Sequence, residues 1–129
     1  MLTSDSPAVA RARAHVEAWS SHDWEAARSA LAADVQVTAV TTNPAFPDTN
    51  LTGVDAYMQG LIAFAQPIVP GSQHLLACLG DERNALLMLT VQLAGPDGTQ
   101  MTLAGARSYL FDDDGKIKVE QVVFYTVPA

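Results

Sequence analysis

The sequence is short of cysteine and of positive charge, and each shortage excludes a class of protein. Its 129 residues include one cysteine, Cys78, so an internal disulfide cannot form and we expect a reducing, cytoplasmic setting. Seven lysine and arginine residues stand against fourteen aspartate and glutamate residues, which gives a formal net charge of -7 at pH 7. The basic residues are scattered and would not neutralise a run of phosphates, so we expect no nucleic-acid partner.

Long apolar runs are also missing. No stretch approaches the roughly 20 apolar residues that a membrane-spanning helix needs, so we expect no membrane partner. Residues 1–7 lack a basic region followed by an apolar stretch, so we expect no secretory signal. A hydrophobic fraction of 49% with 16% charged residues is typical of a globular protein, and the length predicts one domain over residues 1–129.

Motifs for metals and cofactors are absent from the sequence as well. The histidines His15, His22 and His74 stand seven and fifty-two residues apart, without a Cys/His cluster or a histidine pair at i, i+4. No glycine-rich phosphate loop follows a strand, and no Gly-x-Ser-x-Gly motif occurs. We therefore expect neither a metal nor a cofactor, which leaves acid/base chemistry or plain binding in an apolar pocket.

What the sequence does contain is a clear change of hydrophobic period along the chain. Apolar spacings of three and four predict helices over residues 7–20, 23–32 and 53–66, with Ser6 and Asp23 as N-terminal caps. Alternation predicts strands over residues 35–40, 73–79, 85–93, 100–111 and 116–127. This order predicts an α+β fold, in which the helices gather on one face of a curved sheet.

The segment between the first strand and the third helix has turn chemistry. Residues 41–52 contain Asn43-Pro44 and Phe46-Pro47, which do not fit inside a sheet. Long irregular segments of compact domains are often functional. We predict that residues 41–52 form a rim or lid over a cavity, with Phe46 as its apolar contact to a ligand.

The last two strands carry an arginine and a glutamate at positions that we expect to face each other. If a four-residue loop closes the hairpin between Phe111 and Lys116, Arg107 lies opposite Glu120. Such a pair is either a surface ion pair of little consequence or part of a polar site inside a cavity. We predict the second, with His15 on the first helix sharing the same cavity.

Three local motifs occur in an order that resembles the nuclear-transport-factor-2-like superfamily, and within it the SnoaL-like and ketosteroid-isomerase-like small proteins. They are Ser21-His22-Asp23-Trp24-Glu25 with Leu31-Ala-Ala-Asp34-Val35, then Leu51-Thr-Gly53, then Tyr109-Leu-Phe-Asp-Asp-Asp-Gly115-Lys-Ile117. The resemblance covers about residues 8–126. It implies a cone-shaped, curved, mixed or antiparallel sheet packed on three N-terminal helices, a cystatin-like roll, around an apolar cavity.

The resemblance also implies where polar residues would enter such a cavity. Aligned without gaps, His15 falls where ketosteroid isomerases carry their oxyanion-stabilising tyrosine, Ala39 lies near their general-base aspartate, and Arg107 replaces their protonated aspartate. Steroid-type proton transfer is therefore not expected. Limonene epoxide hydrolases are similar in using an arginine, but Tyr109 stands here where their pattern needs an acid. SnoaL-like proteins often carry a pocket histidine at the position of His74.

These observations give a catalytic set and a ligand-binding set. The catalytic candidates are His15, His74, Arg107 and Glu120. A histidine would serve as general acid or base, Glu120 as a carboxylate whose pKa a dry pocket raises, and Arg107 as its orienting or charge-stabilising partner. The predicted ligand contacts are Trp19, Phe46, Tyr57, Leu61, Tyr109, Val122 and Phe124. A core role remains the alternative for His15, Trp19 and Tyr57, and a solvated strand end for His74.

The sequence thus predicts a small cofactor-independent enzyme of the isomerase, cyclase, lyase or hydrolase type, acting by acid/base chemistry on a hydrophobic small molecule. The alternative is a non-catalytic binding or dimerisation module of the same fold. Consecutive apolar residues at 86–89 and 122–125 supply both faces of the sheet, whereas helices cover only one face. We therefore predict a homodimer through the outer face, which the resemblance also implies.

Overall fold

The computed structural model describes residues 5–42 and 48–127. Its elements are α1 (Pro7–Ser20), α2 (Trp24–Ser29), β1 (Leu31–Thr41), β2 (Thr49–Thr52), α3 (Val54–Ala65), β3 (His74–Gly80), β4 (Asn84–Ala94), β5 (Gln100–Phe111) and β6 (Ile117–Thr126). In these residues the strands form one mixed sheet and the helices pack against it, so the predicted α+β class is confirmed.

The first two helices begin where the sequence predicts. The hydroxyl of Ser6 accepts a hydrogen bond from the amide of Val9 at 3.2 Å, and Pro7 then opens α1. The side chain of Asp23 caps α2 in the same way, accepting from the amide of Ala26 at 3.1 Å. No helix in the described part of the chain is long and apolar enough to cross a membrane.

The second helix ends earlier, and the first strand begins earlier, than the hydrophobic pattern predicts. α2 stops at Ser29, and the carbonyl of Ala30 already accepts a hydrogen bond from the amide of Ile117 at 2.8 Å. Leu31 pairs with Ile117, but the register shifts before Gln36. Because a bulge interrupts the two-residue alternation at this place, the sequence pattern becomes regular only further along the strand.

The sheet has the strand order β2-β1-β6-β5-β4-β3. β1 runs parallel to β6, and the other neighbours are antiparallel. The inward side chains alternate with exposed ones, for example Leu87 with Met88 on β4. The helices cover the inner face, where the apolar core lies, and α3 packs against β1 and β2. This arrangement leaves a space between α3 and the central strands.

The prediction of an irregular segment at residues 41–52 is wrong at its C-terminal end. Residues Thr49–Thr52 form β2, an edge strand that pairs with β1 from Ala39↔Thr49 to Gln36↔Thr52. Gly53 follows with a φ of +96°, a conformation that glycine adopts without strain, and turns the chain into α3. Phe46 and its neighbours at 43–47 lie outside the described residues, so the predicted lid contact stays a prediction.

Candidate active site

A cavity of about 400 Å³ lies between α3 and the strands β1, β2, β5 and β6. Most of its wall is apolar, and Arg107, Glu120 and Tyr57 supply charged and hydroxyl groups. The lining residues are Val37, Ala39, Thr49, Leu51, Tyr57, Gly60, Leu61, Ala63, Phe64, Arg107, Glu120, Val122 and Phe124. A concave apolar space of this size with a few converging polar groups is typical of a small-molecule site.

Arg107 and Glu120 form a buried ion pair in the wall of this cavity. The side chains are 8% and 1% exposed, and Nη1 of Arg107 donates a hydrogen bond to Oε2 of Glu120 at 3.0 Å. The two residues are not directly opposite each other, because Arg107 pairs with Val122 and Glu120 pairs with Tyr109. The predicted register is therefore wrong by two residues, and the two side chains meet diagonally on the same face.

Tyr57, on α3, supplies the second hydrogen bond to the carboxylate of Glu120. Its hydroxyl donates a hydrogen bond to Oε1 of Glu120, so each carboxylate oxygen has one donor. The guanidinium of Arg107 lies over the ring of Trp19, with Cζ 4.5 Å from the ring centroid. This cation–π contact holds the guanidinium against the ring of Trp19, which lies behind the cavity lining.

The electrostatics keep this pair ionised. Burial disfavours the charge on Glu120 and is the largest single effect, but the nearby guanidinium of Arg107, together with smaller contributions that include the Tyr57 hydrogen bond, lowers the pKa of Glu120 below its usual value. Burial is also the largest effect on Arg107 and opposes its charge, but the carboxylate of Glu120, together with smaller contributions from Tyr109 and Tyr57, raises the arginine pKa. The prediction that a dry pocket raises the pKa of Glu120 is therefore wrong, since it omitted the cation at hydrogen-bond distance.

His15 lies behind the ion pair, and it is not one of the lining residues of the cavity. Its ring centroid is 6.1 Å from that of Tyr57 and 6.2 Å from that of Tyr109. Neither ring nitrogen has a hydrogen-bond partner within the described residues. Burial lowers the pKa of His15 to about 4, Glu120 opposes this and Arg107 adds to it, so the ring is neutral at pH 7.

The predicted residues separate into those that reach the cavity and those that do not. Tyr57, Leu61, Val122 and Phe124 line it with the ion pair, whereas Trp19 and Tyr109 are buried behind the lining. The structure does not bring His74 to the cavity. His74 begins β3 with an exposed side chain and pairs with Thr90. β3 is the edge strand opposite β2, so it lies outside the strands that line the cavity.

Sequence reasoning missed several lining residues. Phe64 lines the cavity seven positions after Tyr57, with Gly60 and Leu61 between them. This i, i+3, i+4, i+7 spacing marks one helix face, so the signal was present in the sequence. Leu51 was missed because the segment around it was interpreted as irregular, and no pattern in the sequence indicates its strand. In residues 5–42 and 48–127, no three His, Cys, Asp or Glu side chains are grouped as metal ligands.

The neutral state of His15 predicts a loss of stability in mild acid. Because its folded pKa lies below the ordinary value of 6.5, the unfolded chain binds the proton first as pH falls. We expect the free energy of unfolding to fall by about 3 kcal/mol between pH 6.5 and pH 4, from the shift at 1.36 kcal/mol per unit. Urea unfolding followed by circular dichroism at several pH values measures this profile.

Matched histidine variants assign the profile to one residue. His15→Leu removes the titrating ring from the packed group formed with Tyr57, Tyr109, Glu120 and Arg107, and should flatten the profile. His74→Gln removes an exposed histidine and should leave the profile as in the wild type. An unchanged acid profile in His15→Leu would show that other groups carry the loss.

Comparison with known proteins agrees with this fold. The sequence profile of the SnoaL-like domain matches residues 12–120. A protein from Kribbella flavida has 24% identity and a TM-score of 0.76, over 93% of this chain and 88% of that one. The Delta 5-3-ketosteroid isomerase from Mycobacterium sp. has 21% identity and a TM-score of 0.72, over 97% and 95% of the two chains.

A third solved structure is a Mycobacterium tuberculosis protein in complex with estradiol-17beta-hemisuccinate. It has 16% identity and a TM-score of 0.68, over 92% of this chain and 93% of that one. Among curated proteins no sequence matches this chain. These structural likenesses establish the fold, and the profile match extends over most of the sequence. The chain belongs to the SnoaL-like domain family.

Proposed function

We propose that the chain is a small cofactor-independent enzyme of the isomerase or cyclase type, acting by acid/base chemistry on a hydrophobic small molecule. The observation that carries this proposal is the ionised pair of Arg107 and Glu120 in the wall of an apolar cavity. Burying an ion pair removes two charges from water, so the pair often adds nothing to stability or lowers it. Buried charges with shifted pKa values are, by contrast, concentrated at functional sites. A carbonyl-bearing substrate suits these groups best.

Each polar group has a role in such a reaction. Glu120, held ionised, takes a proton from a carbon next to a carbonyl group, and the C–H electrons move into an enolate. Arg107 stabilises the negative charge that develops on the enolate oxygen. Return of the proton to a different carbon completes an isomerisation, whereas attack of the enolate carbon on a second carbonyl carbon closes a ring, and the alkoxide so formed takes the proton from Glu120. Lyase and hydrolase chemistry use the same base and cation on other bonds.

His15 has a supporting role in this proposal. It packs behind Tyr57 and Tyr109 without lining the cavity, so it supports the groups around Glu120 through packing, not by contact with substrate. Tyr57 lines the cavity and holds Glu120 in place through its hydroxyl. Relatives of the same fold, one of them a ketosteroid isomerase and one bound to a steroid ester, support a hydrophobic ligand.

A second candidate function is binding without catalysis. Both oxygens of Glu120 already accept a hydrogen bond, and its pKa is lowered, which weakens it as a base. A carboxylate that is held in this way is as well suited to binding a polar group as to removing a proton. The two functions therefore differ in whether protons move, and not in whether a ligand enters the cavity.

Proton exchange separates the two functions before the natural substrate is identified. Apolar ketones of one to three rings are incubated with the protein in D₂O, and deuterium uptake next to the carbonyl is followed by NMR. An enzyme of the proposed type should accelerate uptake at least tenfold over buffer for the ketones that bind. Binding detected by tryptophan fluorescence without any acceleration would refute the enzyme and favour the binding function.

The cellular setting is a separate expectation. Cys78 is buried and has no disulfide partner in the described residues. Cytoplasmic localisation, predicted from the single cysteine, stays a prediction that fractionation of cells producing the full chain would test.

A further inference from the structure

The polar end of the cavity offers hydrogen-bond donors and acceptors side by side. Arg107 uses one N–H group, on Nη1, to bond Glu120, and a guanidinium has five such groups, so donors remain for a bound molecule. Glu120 accepts one bond at each oxygen, and an ionised carboxylate oxygen accepts two. Both residues line the cavity, so spare donors and spare acceptors are presented to the same ligand.

The same end of the cavity carries no net charge at neutral pH. The cation of Arg107 is balanced by the anion of Glu120 at 3.0 Å. Tyr57 and Tyr109 are neutral because burial, and then the charge of Glu120, raises the pKa of each hydroxyl. His15 is neutral as well, with a pKa of about 4. An ionic ligand would therefore lose its hydration without meeting an unpaired counter-charge, which is unfavourable in a dry site.

The remainder of the wall sets the body of the ligand. It is built mainly from aliphatic and aromatic side chains, among them Leu61, Phe64, Val122 and Phe124. The volume of about 400 Å³ is more than twice that of an apolar cavity of about 150 Å³ that accommodates benzene. A body of two fused rings therefore fits with room for a head group.

Resting on the proposed small-molecule function of the cavity, we propose that its ligands are neutral apolar molecules whose polar head carries a hydrogen-bond donor beside a carbonyl acceptor. The donor binds Glu120, and the carbonyl oxygen binds Arg107. Carboxamides and hydroxy-carbonyl compounds belong to this class. Carboxylates do not, since they bring an uncompensated charge, and simple ketones or esters bind more weakly, since they leave an acceptor of Glu120 unused.

Head-group variants of one naphthalene body test this inference. The probes are 2-naphthamide, methyl 2-naphthoate, 2-naphthoate and naphthalene, and their dissociation constants are measured by calorimetry on the full chain at pH 7. We expect 2-naphthamide to bind at least about tenfold more tightly than the ester, because the ester lacks the donor to a charged acceptor. We expect the same advantage over 2-naphthoate.

Glu120→Gln should reverse the preference between amide and carboxylate. In this variant Arg107 keeps its charge without its partner, so 2-naphthoate should bind more tightly than 2-naphthamide. Glu82→Gln removes an exposed glutamate and should keep the wild-type order. The wild-type series stands on its own if the Glu120 variant does not fold.

The outcomes distinguish this inference from the function on which it rests. Equal binding of all four probes would overturn the head-group inference and leave an apolar binding cavity. Tightest binding of 2-naphthoate to the wild type would overturn it in favour of anionic ligands, and equal binding of ester and amide would remove the donor requirement. Absence of binding by every probe, naphthalene included, would overturn the inference together with a small-molecule function for the cavity. The proton-exchange measurement judges catalysis independently.

Discussion

Replacing Glu120 by glutamine is expected to lower proton exchange, and any turnover, by about a hundredfold or more, the usual contribution of a general base. Glutamine has the size of glutamate but does not take up a proton at neutral pH. The same change leaves the charge of Arg107 buried without a partner. We therefore also expect the free energy of unfolding to fall by about 3 kcal/mol, as measured by urea titration.

A double variant separates catalysis from stability. Arg107→Met combined with Glu120→Gln removes both charges, so it should recover much of the stability that the single change loses while exchange stays low. The control Glu82→Gln removes the charge of an exposed glutamate outside the cavity and should change neither proton exchange nor stability. Full exchange activity in a folded Glu120→Gln protein would exclude Glu120 as the base and leave its contribution to binding.

The inward placement of the pair could be predicted from sequence although its register could not. The predicted hairpin set Arg107 opposite Glu120, whereas the structure pairs Arg107 with Val122 because an irregularity follows Leu110. Alternation contains no information about such a bulge. The error is two residues, an even number, so each side chain stays on the face that alternation assigns to it.

The helix caps were predictable for a different reason. Ser6 and Asp23 act on amides three residues away, so the interaction lies within one short segment of sequence. Tyr57 and Glu120 are 63 residues apart, and their hydrogen bond depends on how α3 packs over the sheet. No spacing rule connects two such positions, and Tyr57 was therefore predicted only as a ligand contact.

The direction of the Glu120 pKa shift illustrates the same limit. Burial alone raises the pKa of a carboxyl group, and the apolar composition around Glu120 predicts that burial. The lowering depends on the short distance to the Arg107 guanidinium, which three-dimensional packing sets. Sequence therefore predicted which groups meet, but the balance between burial and charge required their coordinates.

The outer face of the sheet is the largest feature that the cavity does not explain. The exposed large hydrophobic side chains of the described residues all belong to strands: Val40, Leu76, Leu79, Leu86, Met88, Met101, Val123 and Tyr125. One row crosses the sheet through paired positions: Val40, Val123, Ala106, Met88 and Ala77. Helices cover only the inner face, and contiguous exposed apolar surface is typical of interaction sites.

We expect this row to join two copies of the chain, so that the protein at micromolar concentration has twice the mass of one chain by light scattering. Val123 is 56% exposed in the single chain and lies on β6, beside the middle of the row. Val123→Glu places a charge where the second copy would bury it, and should give the mass of one chain, since an unpaired buried charge opposes association. Ala10→Glu adds the same charge at an exposed position of α1 and should keep the dimer. A wild-type protein with the mass of one chain would refute the dimer. We would then expect another partner to cover the apolar row, because an exposed apolar surface that stays uncovered promotes aggregation.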